Sequence, residues 1–67
     1  MIKITFNGEQ KRFDSAINLL ELVELYSLKI SNVAIEKNGV IVQRSQYCNT
    51  LIEDGDIIEC FEFVGGG

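Results

Sequence analysis

Ile57-Ile58-Glu59-Cys60-Phe61-Glu62-Phe63-Val64-Gly65-Gly66-Gly67 is the stretch on which the reading of the fold turns. The run from Ile57 to Val64 reads as a strand. A period of two sets Ile58, Cys60 and Glu62 on one face and Ile57, Glu59, Phe61 and Phe63 on the other. If a single helix covers the sheet, only one of these sets can be buried. Ile58 and Cys60 are assigned inward, which leaves Phe61 and Phe63 on the open face; the reverse register would make the phenylalanines core. Exposed apolar side chains in a row mark a partner surface, so Phe61, Phe63, Val64 and Gly65 are candidate partner-binding residues. The three glycines that follow have no Cβ. Extended from Val64, they form a slender arm about 13 Å long, with the α-carboxylate of Gly67 as its chemical handle. Such an arm can enter a slot too narrow for side chains; the plain alternative is a frayed terminus.

Upstream, two apolar runs are each followed by Asn-Gly. Ile2, Ile4 and Phe6 alternate with Lys3 and Thr5, and Asn7-Gly8 then turns the chain into a polar return strand, Glu9 to Phe13. Asn-Gly favours the left-handed φ values of a two-residue hairpin, and the charged return strand reads as a sheet edge. Val33-Ala34-Ile35-Glu36-Lys37, Asn38-Gly39 and Val40-Ile41-Val42 repeat the pattern.

Between the hairpins, Asn18 stands three residues before Glu21, the spacing of a capping box, and Ile17 and Leu22 have the spacing of a hydrophobic staple. Leu19, Leu22, Val23 and Tyr26 share one helical face, with Leu20 and Leu25 flanking it. The predicted helix runs from Leu19 to about Ser27 and depends on packing against a sheet. Gln43 to Thr50 reads as a loop with one helical turn around Arg44 to Tyr47, anchored by Tyr47. Glu53-Asp54-Gly55-Asp56 lacks the spacing of a calcium loop and reads as a tight turn. The first and last strands are the most apolar and are placed as neighbours in mid-sheet. The sum is an α+β domain, four or five strands with one helix across one face.

Composition narrows the function. Sixty-seven residues make one small core with little room for a deep pocket. Six Lys and Arg against ten Asp and Glu are poorly matched to nucleic acid, and without a block of like charge there is no obvious membrane-surface helix. The apolar runs are too short to span a bilayer, and Met1 to Ile4 do not open a signal peptide, so a cytoplasmic protein is expected. The absence of histidine removes Ser-His and Cys-His catalysis and His-ligated metals. Cys48 and Cys60 lack metal-ligand spacing; Cys60 reads as a small core residue. No constellation of side chains points to an enzyme.

The hairpin at the start, Asn18-Leu19-Leu20-Glu21-Leu22, Val33-Ala34-Ile35, Asp54-Gly55-Asp56-Ile57-Ile58 and the closing Phe63-Val64-Gly65-Gly66-Gly67 together resemble the ThiS family of ubiquitin-like sulfur carriers. The resemblance spans essentially the whole chain. It implies a β-grasp domain over 1–64, with first and last strands parallel, and a flexible tail over 65–67. It also implies a chemistry. An E1-like enzyme spends ATP to adenylate the Gly67 carboxylate, a persulfide sulfur displaces AMP, and the resulting thiocarboxylate serves thiazole synthase. Gly66 and Gly67 would be the reacting residues and Gly65 a spacer. Neither metal nor bound cofactor is implied, and the chain alone is expected to be a monomer. The alternatives are a molybdopterin-pathway carrier, a lysine-linked modifier, or a β-grasp interaction module with an inert tail.

Overall fold

In the computed structural model the described residues are 1–63. Val64, Gly65, Gly66 and Gly67 lie outside them, as does the expected boundary between domain and tail. A five-stranded mixed sheet carries one α-helix. In chain order the elements are β1 (Ile2–Phe6), β2 (Glu9–Phe13), β3 (Ile17–Asn18), α1 (Leu19–Leu25), β4 (Val33–Lys37), β5 (Val40–Val42), β6 (Leu51–Ile52) and β7 (Ile57–Glu62). The large sheet is ordered β2-β1-β7-β4-β5. β1 and β7 lie side by side and parallel in mid-sheet, Thr5 opposite Ile57, and the charged β2 is an edge, as the sequence predicts; the wholly apolar β5 is the other edge, so apolar content alone does not mark the central strands. This is the β-grasp arrangement.

Both Asn-Gly pairs are tight turns. Asn7 and Asn38 have φ of 50° and 52°, and Gly8 and Gly39 have 83° and 84°. Asparagine tolerates this region better than other side chains because its short amide can bond locally. Here the amides do more. Asn7 Oδ1 accepts from the Cys60 N–H at 2.8 Å. Asn38 Oδ1 accepts from the Ile57 N–H at 2.8 Å. Each turn therefore clamps β7, one from either side.

The helix begins as its sequence dictates. Asn18 Oδ1 accepts from the Glu21 N–H at 2.8 Å and Glu21 Oε1 from the Asn18 N–H at 2.9 Å, a complete capping box. It ends earlier than predicted, at Leu25. Ser27 takes φ 55°, its N–H donates to Glu24 O and the Leu28 N–H donates to Val23 O, both at 3.0 Å. These two bonds close a Schellman motif without the glycine that usually signals one. The final strand ends at Glu62, with Phe63 already outside it.

Leu19, Leu22 and Val23 pack on Ile4, Ile35 and Ile58. A fully buried Leu or Ile contributes about 1.5–3 kcal/mol over an exposed one, so this layer holds the short helix in place. Tyr26 is stacked on Phe6, ring centroids 4.9 Å apart, while Leu25 is exposed. Tyr47 is buried and anchors a 3₁₀ segment, Arg44–Asn49, longer than the single turn predicted.

One layer was not foreseen. Ile17 and Asn18 pair antiparallel with Ile52 and Leu51 as a separate two-stranded ribbon. Two-residue strands have no readable period; this pair forms because Ile17 and Ile52 both pack against the core.

Candidate functional site

β7 meets the core with one face and solvent with the other. Ile58 is fully buried and Cys60 partly so. On the opposite side Ile57 is 52% exposed, Phe61 45% and Phe63 57%. The inward assignment of Ile58 and Cys60 therefore holds, and the phenylalanines are not core. Ile41 of β5, 62% exposed, extends this apolar surface across the sheet. Within it Ala34 stands opposite Phe61, and Glu36 opposite Glu59.

The exit from the domain is held by backbone. The Phe63 N–H donates to Asn32 O at 2.7 Å, Asn38 secures the other end of β7 at Ile57, and Asn7 holds its middle at Ile58 and Cys60. The strand entrance is held by Asp56. Its Oδ1 accepts from Asn38 Nδ2 at 3.0 Å, its Oδ2 from the Glu53 N–H at 2.8 Å, and Lys37 Nζ lies 3.5 Å from Oδ2. Burial alone would push the Asp56 carboxyl up. The Glu53 and Asn38 donors and the Lys37 ammonium outweigh it, so the carboxyl stays ionised below the ordinary carboxylate range. The turn predicted at Glu53–Asp56 is thus also a buried polar clamp. The alternation of strand residues carries no signal of this, because Asp56 acts from just outside the strand. Gly55, with φ 89°, lets the turn close, and its N–H donates to Lys3 O at 2.8 Å.

Reactive side chains are scarce. Burial, and after it the Glu62 carboxylate, push the Cys60 thiol up, so it is protonated and a poor nucleophile at neutral pH. Cys48 is exposed on the 3₁₀ segment. Among the described residues no group of three or more His, Cys, Asp or Glu could hold a metal ion. A shallow open depression of about 320 Å³ is lined by Val33, Ala34, Ile41, Val42, Arg44 and Tyr47, among others. The Arg44 guanidinium there donates to Val33 O at 3.3–3.4 Å, and burial raises the Tyr47 hydroxyl against the opposing effect of Arg44. Neither residue forms a nucleophile–base pair. No helix of the described residues is long and apolar enough to cross a membrane.

Of the residues singled out from sequence, the structure places Phe61 and Phe63 on the open face at the end of β7. Val64, Gly65, Gly66 and Gly67 are outside the described residues. Alternation had already set Glu59 on this face, but sequence reasoning missed Ile41 and Glu36 as members of it. The second hairpin contained the signal, but it needed the strand order to be read.

Comparison with known proteins fits this geometry. The family model described as the ThiS family matches residues 4–67. Over 66 residues the chain is 33% identical to a thiazole synthase from Paramagnetospirillum magneticum, covering 98% of this chain and 20% of that protein. The chain thus spans about a fifth of the length of this relative, and likewise 20% of a thiazole synthase from Magnetococcus marinus. It is 29% identical to the sulfur carrier protein ThiS of Escherichia coli, covering 98% of this chain and 100% of that one. Among solved structures, a crystal structure of the thiamine biosynthesis protein ThiS from Geobacter metallireducens superposes with a TM-score of 0.83 at 30% identity, over 98% of this chain and 100% of that one. On a match that runs from β1 to Gly67, the chain belongs to the ThiS family.

Proposed function

We propose that this chain is a sulfur carrier for thiamine thiazole synthesis, not itself a catalyst, and that Gly67 bears the sulfur. The observation that carries the reading is the course of β7: a strand pinned at both ends, lined with exposed aromatics, running in sequence directly into Val64-Gly65-Gly66-Gly67. In a ThiS-family chain that arrangement is suited to docking a partner while its terminus enters the partner's active site.

The chemistry follows from the carboxylate. A carboxylate resists nucleophiles because its charge is delocalised and it lacks a leaving group. An E1-like enzyme would transfer AMP from ATP to the Gly67 carboxylate and release pyrophosphate. The terminal sulfur of a persulfide would then attack the acyl carbon and expel AMP. A thiol would cleave the remaining S–S bond, leaving the thiocarboxylate and a disulfide. Gly66 and Gly67 would pass through the enclosed site without side-chain clashes, Gly65 would serve as spacer, and Phe61, Phe63 and Val64 would make contacts outside it. The protonated Cys60 has no part in this scheme, and no bound cofactor is required. The thiazole synthases that contain a segment similar to this chain support thiazole synthase as the acceptor.

Intact-mass analysis after incubation with the adenylating enzyme, ATP and a persulfide donor tests the scheme. The expected product is heavier by the difference between sulfur and oxygen, mapped to the terminal peptide. One residue added after Gly67 should abolish it. Undiminished sulfur loading of that extended chain would refute the mechanism.

A further inference from the structure

The open face carries a pairing that the fold does not need. Glu36 of β4 and Glu59 of β7 are directly opposite in register. The Asn38 N–H donates to Ile57 O and the Phe63 N–H to Asn32 O, and by alternation 36 and 59 are then a hydrogen-bonded pair, about 5.5 Å apart at Cα. Like charges placed directly opposite on one face destabilise a sheet. Around them stand Ile41, Ile57, Phe61 and Ala34, with the turn residues Asn7 and Asn38 beside them already engaged with the β7 backbone, and no cation in the adjacent strand rows. Lys37, between them in sequence, points to the other face and lies against Asp56. Among the described residues neither Glu36 nor Glu59 forms an ion pair. Lys3 and Arg12 lie across the sheet on β1 and β2, opposite each other and beyond the rows that hold the two glutamates.

Two glutamates opposite each other in register, with apolar neighbours on the same face, match one cation carried by an apolar surface. We propose that the partner docking on this face places an arginine or lysine between Glu36 and Glu59, ringed by apolar side chains that cover Ile41, Ile57 and Phe61. The inference rests on the carrier reading and names the partner as the adenylating enzyme. It adds what that enzyme must present. Repulsion in the free chain is relieved on docking, so the pair contributes to recognition at the expense of the free fold. Charge complementarity of this kind adds specificity and speeds association more than it adds bulk affinity.

The test pairs stability with affinity. Glu59→Lys would set a cation opposite Glu36, and Glu36→Gln with Glu59→Gln would remove the repulsion. Each should keep or raise the melting temperature. Each should weaken binding of the adenylating enzyme by about tenfold or more at low salt, and the double Gln variant should also flatten the salt dependence. A purely structural role would lower the melting temperature instead, and would overturn the proposal. So would unchanged affinity in the Gln variant, including the case where that variant self-associates, which would make the carboxylates guards against sheet-to-sheet aggregation. The two readings fail separately. A wild-type chain that binds the enzyme yet gains no sulfur defeats the carrier chemistry, while the affinity comparison still decides the docking contact. Normal sulfur loading in the Glu59→Lys variant with unaltered affinity defeats the docking contact alone.

Discussion

Ile57 and Ile58 are the same residue type, adjacent in one strand, and they live in different environments. Ile58 is sealed beneath α1, whereas Ile57 stands half open to water on the uncovered face. Backbone pairing is similar for both. The difference is the helix, which covers one side of the sheet and leaves the other free. The covered face of β7 serves the fold, and the free face is available to a partner.

The strongest way to break that division is Ile58→Ala. Removing a fully buried Ile side chain should cost about 2–5 kcal/mol, lowering the melting temperature by about 4–8 °C for each kcal/mol in a domain of this size. Thermal unfolding checks it. A variant as stable as the parent would mean that the inner face is not the core.

Next is Asp56→Asn, which weakens the clamp at the entrance of β7. Loss of a buried, charge-assisted acceptor should cost about 1–3 kcal/mol at neutral pH. The pH dependence has a fixed sign. The Asp56 carboxyl lies lower in the folded chain than in the unfolded one. Its stabilisation is therefore complete above the ordinary carboxylate range and is lost as the pH falls through the folded value. Urea unfolding at several pH values should show the gap between parent and variant narrowing on acidification below about pH 4. A gap that widens on acidification would contradict the clamp.

Asn18→Ala opens the capping box beneath the inner face and should cost about 1 kcal/mol, within the 0.5–2 range of such caps. Loss of helical circular dichroism on mild heating is the measurement. The smallest stability effect belongs to the free face. Phe61→Ala should change stability by less than about 1 kcal/mol yet weaken partner binding about tenfold or more, as interface aromatics do. If Phe61→Ala destabilised the chain as much as Ile58→Ala, the two faces would not be distinct.

Much of this division was legible before any coordinates. Asn7-Gly8 and Asn38-Gly39 announced both hairpins, because few dipeptides tolerate two consecutive positive φ values. Asn18 and Glu21 announced the helix start through reciprocal bonds that need only a spacing of three. Other features left no local trace. The helix stop at Ser27 uses a residue with no preference for the left-handed region. β3 and β6 are too short to show a period. Asp56 looked like an ordinary turn residue until Lys37 and Asn38 were brought to it from the second hairpin. The role of Asn7 toward Cys60, 53 residues later, depends on β1 and β7 being neighbours.

The local sequence on its own settled where strands, turns and the helix start lie, because those depend on backbone preferences and on bonds within a few residues. It also restricted the face of β7 that could be buried, since alternation leaves two choices. Which choice was taken, and that Glu36 and Glu59 confront each other among apolar neighbours, only the tertiary structure decided. Strand order and register are long-range quantities, fixed by how all the apolar faces can share one core, and no single segment contains them.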